Sequence, residues 1–393
     1  MKWLIVINKY LPDAVGGNII YVKRFIEELN NFGRKVILVT TTNDKILPKH
    51  EKQDNCEIYR VFFNKGNLGP LRFKEREIFT KEIEELIKKE EIDILNIHQG
   101  GWVTNKFLEQ KREYKLIFTF HAVHSYELFF EFIKSIGLLN FKSLLICPIK
   151  YLIQLNFELN SLKYADKIVV MSDYVKGTVR KFLGSKYLNK VFVTGIGVSS
   201  LSNLDKVDKN QGRKKLKLNK DEVIFITVRR LAHRMGLFNL IKAFGSVNDD
   251  SARLLIIGKG YLYDKLDNYI KKLNLQHKVQ LLGFVNNEDL HYYYCSSDCF
   301  ILPTEELEGF GIATIEALSY NLPVIGTPKG ATPEILSKFD SNLITKTHKS
   351  GDIAEKINYY LQNTDKYKDI DFDGKVQSIY NWGNFVNKIV NEI

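Results

Sequence analysis

The chain is predicted to be an α/β protein made of two Rossmann-like domains, each a doubly wound parallel sheet, facing a cleft. Short apolar runs bounded by loops alternate with amphipathic or charged stretches over the whole length, the pattern of parallel strands joined by helices. The series is played twice, once up to Val191–Val193 and again from Val223–Val228. At 393 residues the chain is long enough for two cores. The third observation is the stretch from Cys299 to Ala317. An apolar run ends at Pro303, an acidic loop follows, and two glycines flank Phe310. A helical pattern then begins and stops at Asn321 and Pro323.

In this stretch Glu308 stands just before the glycines and Glu316 about one turn inside the helix. The helix N-terminus between them offers free backbone N–H groups and a partial positive charge. Two carboxylates beside an anion-binding helix end suit a ligand that carries both hydroxyls and a diphosphate, and a nucleotide sugar is such a ligand. A corner whose acids are merely solvated is the plainer alternative.

Composition narrows the class. Hydrophobic residues make up 45% and charged residues 26%, as in ordinary globular proteins. Cys56, Cys147, Cys295 and Cys299 make no paired zinc motif and are too few for a disulfide framework, which points to a reducing, cytoplasmic setting. Met1–Asn8 is too short an apolar run for a signal peptide and fits a first buried strand. No run of 18 uncharged apolar residues occurs, so no transmembrane helix is expected. The net charge of +11 is spread along the chain, mixed with Glu, and comes with no nucleic-acid motif. It favours an anionic membrane surface over nucleic acid, with simple solubility as the alternative.

The first strand leads into a loop that ends in Gly16-Gly17, and a helix follows with Gly33 as its stop. Glycines at such a junction let backbone approach a phosphate, but this is not the Gly-x-Gly-x-x-Gly dinucleotide fingerprint. Apolar runs recur at Val36–Thr40, Ile58–Phe63, Ile92–Ile97, Leu116–Phe120 and Ile168–Met171, with a charged helix over residues 74–89. Ligands of open α/β sheets sit at strand carboxyl ends, which places His98 and His121 at the cleft rim. Residues 125–163 mix Phe, Leu and Ile with Lys134, Lys142, Lys150 and Lys163. They are either helices packed on the first domain or an interfacial surface that meets a membrane or a lipid-linked acceptor. Residues 199–220 are polar, lack apolar periodicity and are expected to form the inter-domain linker.

The second series continues through Leu254–Ile257, Val279–Leu282, Cys299–Leu302 and Val324–Ile325. Its first loop is Arg229-Arg230-Leu231-Ala232-His233-Arg234-Met235-Gly236. Gly258-Lys259-Gly260 follows the next strand and Gly283-Phe284-Val285 the one after. Asp369, Asp371 and Asp373 lie far from these motifs and are taken as a solvated loop. Residues 376–393, with Trp382 and Phe385, are expected to form one amphipathic helix.

Glu308-Gly309-Phe310-Gly311-Ile312-x-x-x-Glu316-Ala317 closely resembles the acid motif of the family 4 (group 1) retaining glycosyltransferases. Ala165-Asp166 with Ser172, the Arg230-Leu231 loop, Gly258-x-Gly260 and the segment from Pro323 to Glu334 are similar to further motifs of that family. The resemblance covers nearly the whole chain. It implies the GT-B arrangement, with an acceptor domain at 1–198, a nucleotide-sugar domain at 199–375, and a helix at 376–393 crossing back onto the first domain. It also implies a metal-independent hexosyl-type transfer to a glycan or a lipid-linked saccharide, in cell-surface polysaccharide or glycolipid synthesis. No cofactor is implied, and the setting is cytoplasmic or peripheral at the inner membrane face.

By the same resemblance His121 lines the donor sugar near the reacting carbon, and Gly16-Gly17 lies against the diphosphate or the acceptor. Arg230 grips the diphosphate, and Gly258 and Phe284 pass near the nucleotide. Backbone around Gly309, Phe310, Gly311 and Ile312 holds sugar and phosphate, Glu308 contacts the transferred sugar, and Glu316 the ribose. One departure stands out: Met235 occupies the place of the family's Lys, and Arg234 is the neighbouring candidate to supply that charge. A sugar-nucleotide epimerase of the same fold and a non-catalytic glycan- or membrane-binding protein are the other classes open to such a sequence.

Overall fold

In the computed structural model of the protein, residues 1–14, 16–53, 55–64, 71–98, 102–135, 141–198 and 207–392 are described. They form two units, residues 1–197 with 382–393, and residues 198–381.

The first unit runs β1 (Lys2–Val6), α1 (Gly17–Asn31), β2 (Lys35–Thr42), β3 (His50–Gln53), β4 (Cys56–Phe62), α2 (Phe73–Glu90) and β5 (Ile94–His98). It continues with α3 (Asn105–Glu109), β6 (Lys115–Phe120), α4 (His124–Ser135), α5 (Phe141–Tyr164), β7 (Lys167–Val170), α6 (Asp173–Leu183) and β8 (Val191–Val193). Its sheet has the order β3-β4-β2-β1-β5-β6-β7-β8. All neighbours are parallel except β3, which pairs antiparallel with β4 at the edge. β3 is polar and largely exposed, so it carries no apolar signal of a strand. The central strands are buried on both faces, which explains their continuous rather than alternating hydrophobicity. Strand order reverses between β1 and β5, the switch point at which ligands of such sheets bind.

Residues 125–163 fall mostly within α4 and α5, which pack against each other. The buried Glu158 carboxylate of α5 accepts from the backbone N–H of His124 (2.8 Å) and Ser125 (3.1 Å) and from Gln154 Nε2 (2.9 Å). It thereby caps the start of α4 with an acid from another helix. Phe157 and Leu162 face the core, while Phe129, Ile133, Leu145, Ile149 and Leu152 stay exposed.

The second unit contains α7 (Lys209–Leu216), β9 (Val223–Val228), α8 (Leu237–Phe244), β10 (Ala252–Ile257), α9 (Tyr263–Lys272), β11 (Val279–Gly283) and α10 (Asn287–Ser296). β12 (Cys299–Leu302), α11 (Ile312–Ser319), β13 (Val324–Gly326), α12 (Thr332–Leu336), α13 (Ser350–Gln362) and α14 (Phe372–Ile379) follow. Its sheet is parallel throughout, in the order β11-β10-β9-β12-β13, with the switch point between β9 and β12.

Two expectations from the sequence need correction. The first concerns the supposed linker. Residues 199–206 lie outside the described residues, but 209–216 form α7. There the buried Arg213 donates to Ser296 O (3.0 Å), Lys220 O (2.8 Å) and Asp298 Oδ2 (2.6 Å). α7 is thus tied to the second unit by an arginine, with no apolar stripe to announce it.

The second concerns the C-terminal segment, which is two helices. α14 belongs to the second unit, and α15 (Trp382–Glu392) to the first, where it packs on α1. Trp382 and Phe385 sit 5.6 and 5.5 Å from the Tyr21 ring. Gly197 permits this packing, since a Cβ there would lie 2.4 Å from the Trp382 backbone. Asp371, read as a solvated acid, accepts from Gly374 N (2.8 Å) as the N-cap of α14.

Candidate functional site

In the second unit, the loops after β9 and β12 meet at the switch point. Arg229 continues directly from β9, and its N–H donates to Ile257 O (2.9 Å). Its side chain is only 5% exposed and reaches the loop after β12. There one terminal nitrogen donates to Glu308 Oε2 (2.8 Å) and lies 2.9 Å from Met235 Sδ, while the other donates to Thr304 Oγ1 (3.0 Å). Thr304 Oγ1 donates in turn to Glu308 Oε2 (3.1 Å). Glu308 is therefore held by two donors, one of them charged.

The arginine singled out from sequence, Arg230, is exposed. Arg234 donates to Leu307 O (2.7 Å), and its own carbonyl accepts from the N–H groups of Glu305 (2.9 Å) and Glu306 (3.2 Å). Its guanidinium thus ties to the acidic loop, close enough for its charge to act on Arg229.

Gly311 takes a left-handed conformation (φ 84°) as the N-cap of α11, and Ile312 is the first helical residue. A Cβ on Gly311 would lie 3.5 Å from Glu308 Cγ, so the Glu308 side chain runs past the helix start. Phe310 is buried edge-on against Tyr380, with ring centroids 5.8 Å apart. Its ring belongs to the core, which leaves backbone and glycines at the open side. Glu316 is half-buried, and its surroundings push the carboxyl up to about 7 by desolvation. Behind this loop, Gly330 (φ 65°) packs so tightly on Glu308 that a Cβ would stand 2.3 Å from the Glu308 carbonyl oxygen. Ala331 N donates to the same carbonyl (2.8 Å).

Gly258 and Gly260 have a structural use that the sequence did not reveal. A Cβ at Gly258 would be 1.9 Å from Arg229 O, and one at Gly260 2.2 Å from Leu231 O. The two glycines let the β10 loop lie directly on the Arg229–Leu231 backbone. Phe284 is 65% exposed, with Lys259 Nζ 4.0 Å from its ring centroid. An exposed aromatic face beside a cation is available for stacking.

In the first unit, Gly16 precedes α1 with extended backbone, and Gly17 opens the helix. His121 follows β6, but His98, expected at a rim, is fully buried as the last residue of β5. Strand β5 is covered on both faces, so its final residue stays inside. The two rings lie 5.4 Å apart, and His98 Nδ1 and His121 Nε2 share one hydrogen at 3.2 Å, its donor set by the tautomers. Burial holds both imidazoles below their ordinary pKa, His121 at about 4 and His98 well below 6.5. Both are therefore neutral at pH 7. Tyr21 of α1, which sequence reasoning passed over, places its ring edge-on to His121 at 4.9 Å, with a buried hydroxyl that has no partner among the described residues. Its place as the fifth residue of the helix was the only signal. His124 is separate: its ring pairs with Glu127 Oε2 (3.2 Å) at the start of α4.

Comparison with known proteins agrees with this architecture. The family described as Glycosyl transferases group 1 matches residues 208–376, and Glycosyltransferase Family 4 matches residues 15–198. An uncharacterized glycosyltransferase of Methanocaldococcus jannaschii is 27% identical, over 100% of this chain and 97% of its own. The sucrose-phosphate synthase of Thermosynechococcus elongatus is a structural neighbour with TM-score 0.78 at 19% identity, covering 100% of this chain and 97% of that one. Anabaena HepE in complex with UDP-glucose has TM-score 0.73 at 14% identity and covers 100% of both chains. The two matched families occupy nearly the whole sequence, one on each unit, and the neighbours share the GT-B fold: the chain belongs to the group 1 glycosyltransferases.

Proposed function

We propose that the protein is a retaining glycosyltransferase that moves a sugar from a nucleotide-sugar donor to a glycan or lipid-linked saccharide, in cell-surface polysaccharide or glycolipid synthesis. The observation that carries this reading is the pair Glu308 and Glu316 on either side of the α11 N-terminus, at the switch point of a parallel sheet. A helix end suits the diphosphate and the carboxylates suit hydroxyls. UDP-glucose bound to Anabaena HepE, a protein of the same fold, supports a nucleotide sugar as the donor class.

In this reading Glu316 accepts hydrogen bonds from the ribose hydroxyls, and Glu308 contacts the transferred sugar near its anomeric carbon. Backbone N–H groups of Phe310, Gly311 and Ile312 hold sugar and phosphate, and Arg230 and Arg234 neutralise the leaving diphosphate. Fixed charge and the helix end take the place of a divalent metal, so no cofactor is invoked. The acceptor oxygen bonds to the anomeric carbon on the face from which the diphosphate departs, and a leaving phosphate oxygen takes the acceptor's proton. The first unit binds the acceptor, with Gly16-Gly17 offering close backbone approach and His121 a neutral hydrogen-bonding group for sugar.

The exposed apolar residues of α4 and α5, with Lys134 and Lys150 among them, favour a peripheral position on an anionic cytoplasmic membrane face. No helix among the described residues is long and apolar enough to cross a membrane.

Thermal melting against UDP-, GDP- and ADP-sugars tests the assignment. One donor should raise the melting temperature by mass action, and the same donor should then be turned over with a saccharide acceptor. Donor conversion without any acceptor would instead identify an epimerase, and binding without turnover a non-catalytic protein.

A further inference from the structure

We propose that Arg229 is the cation that position 235 lacks: a positioning residue whose buried guanidinium neutralises Glu308 and so lets the site accept a diphosphate. The proposal rests on the reading of this site as a nucleotide-sugar pocket.

Three observations carry it. The first is a vacancy of charge: the resemblance places Lys at 235, and this chain has Met. The second is where the missing charge is found. The Arg229 guanidinium lies against Met235 Sδ at 2.9 Å and bonds Glu308 Oε2 at 2.8 Å. The outer part of side chain 235 and the charge of Arg229 thus meet at one spot. A lysine at 235 would bring an ammonium against the guanidinium, so the two positions exchange the charge rather than duplicate it. Arg234, the candidate from sequence, donates to the Leu307 carbonyl and adds its charge from nearby, but the guanidinium bonded to Glu308 is that of Arg229.

The third observation is that the guanidinium is fixed and not saturated. The Arg229 carbonyl is pressed on by Gly258, its N–H is in the sheet ladder, and Thr304 holds one terminal nitrogen. Yet its buried Nε has no partner among the described residues, a donor that the fold itself does not use. Without this cation, the Glu308 carboxylate beside the α11 N-terminus would oppose an incoming diphosphate. With it, the pair is neutral and the helix end and the neighbouring arginines decide the sign of the site.

Calorimetric titration of UDP, GDP and ADP, each against its nucleoside, reads the charge directly. The wild-type protein should bind one diphosphate more tightly than the matching nucleoside. Arg229→Met should weaken that diphosphate by about tenfold or more while the nucleoside changes less than about twofold. Arg229→Met combined with Met235→Lys moves the charge back to 235 and should restore the preference, which a purely structural arginine would not allow. If Arg229→Met does not fold, the double variant carries the test alone: a diphosphate preference in it supports the exchange, and none overturns it. A folded Arg229→Met protein that keeps the preference, or a folded double variant that fails to regain what the single variant lost, overturns the role of Arg229 only. A wild-type protein that prefers no diphosphate over its nucleoside overturns the nucleotide-sugar reading and this inference with it.

Discussion

Each unit gathers polar side chains at the switch point of its own sheet, and the two gatherings are built on opposite electrostatic principles. In the first unit His98 and His121 are neutral, share one hydrogen and lie under aromatic rings from Tyr21 and Phe25. In the second, Arg229 and Glu308 form a largely buried ion pair beside a helix N-terminus, with Glu316 in a desolvated position nearby in sequence. The same strand-end geometry can thus be furnished for neutral hydroxyls or for a diphosphate. A neutral hydrogen-bonding surface can orient a sugar without attracting phosphate. A charged one must hold its own carboxylate in check before it can admit an anion.

The largest effect that would break this contrast is on catalysis. Glu308→Gln and Glu316→Gln should each lower transfer by roughly 10²–10³-fold with the donor identified by melting, as loss of a preorganised polar contact does. Full turnover by a folded Glu316→Gln protein would remove the basis for calling the second unit's site the donor site. Arg230→Ala should lower turnover less than either, because its exposed side chain acts through screened charge.

Next in size is a backbone effect. Gly330→Ala places a Cβ 2.3 Å from the Glu308 carbonyl oxygen at a φ of 65°, so either Glu308 or the loop must move. The expected cost is about 1–3 kcal/mol of stability, read from denaturant unfolding, with donor affinity falling alongside. Unchanged affinity in a destabilised protein would show that Glu308 is not positioned by this contact.

Acid and base should then separate the two sites by sign. Glu316 has its folded pKa raised from 4.5 to about 7, so its favourable contribution is complete below 4.5 and is lost as pH rises toward 7. Relative to wild type, Glu316→Gln should therefore melt higher at pH 8 than at pH 5. His121, lowered from 6.5 to about 4, behaves in the opposite sense: its contribution is present above 6.5 and is lost as pH falls toward 4. Melting between pH 6.5 and 4 should fall less steeply in His121→Gln than in wild type. Parallel slopes in the two variants would erase the distinction between a neutral and a charged site.

How much of this was legible depended on whether the deciding contact was local. The strand–loop–helix corner at Glu308, Gly311 and Glu316 is contiguous, and the glycines that punctuate it could be placed from sequence alone. The choice between Arg229 and Arg230 could not. β9 is buried through its middle on both faces, so no alternation tells which of two arginines after it points inward. Gly258 and Gly260 looked like ligand-binding glycines, yet their first constraint is the Arg229–Leu231 backbone crossing them, a contact between distant segments. α7 escaped notice because Arg213 and Asp298 hold it by charge across 85 residues, where periodicity searches for apolar faces. His98 was misplaced because the end of a strand is a rim only when nothing covers it, and here α1 brings Tyr21 and Phe25 over that end, with Phe385 of α15 packed on both.

The smallest expected effect on the folded molecule extends the contrast from the sites to the surface. Ile133, Leu145, Ile149 and Leu152 are about half exposed or more, on the unit whose site is neutral. Large apolar side chains left in water contribute little to folding, so changing all four to Ser should alter stability by no more than about 0.5 kcal/mol per site. If these helices meet a membrane, the same change should sharply weaken cosedimentation with anionic vesicles while leaving soluble-donor binding within about twofold, because much of the exposed apolar area that could insert beside the lysines is lost. Equal pelleting of the wild-type and substituted proteins would assign vesicle binding to dispersed charge alone, since lysine attraction to anionic headgroups survives the loss of apolar area and disappears in high salt.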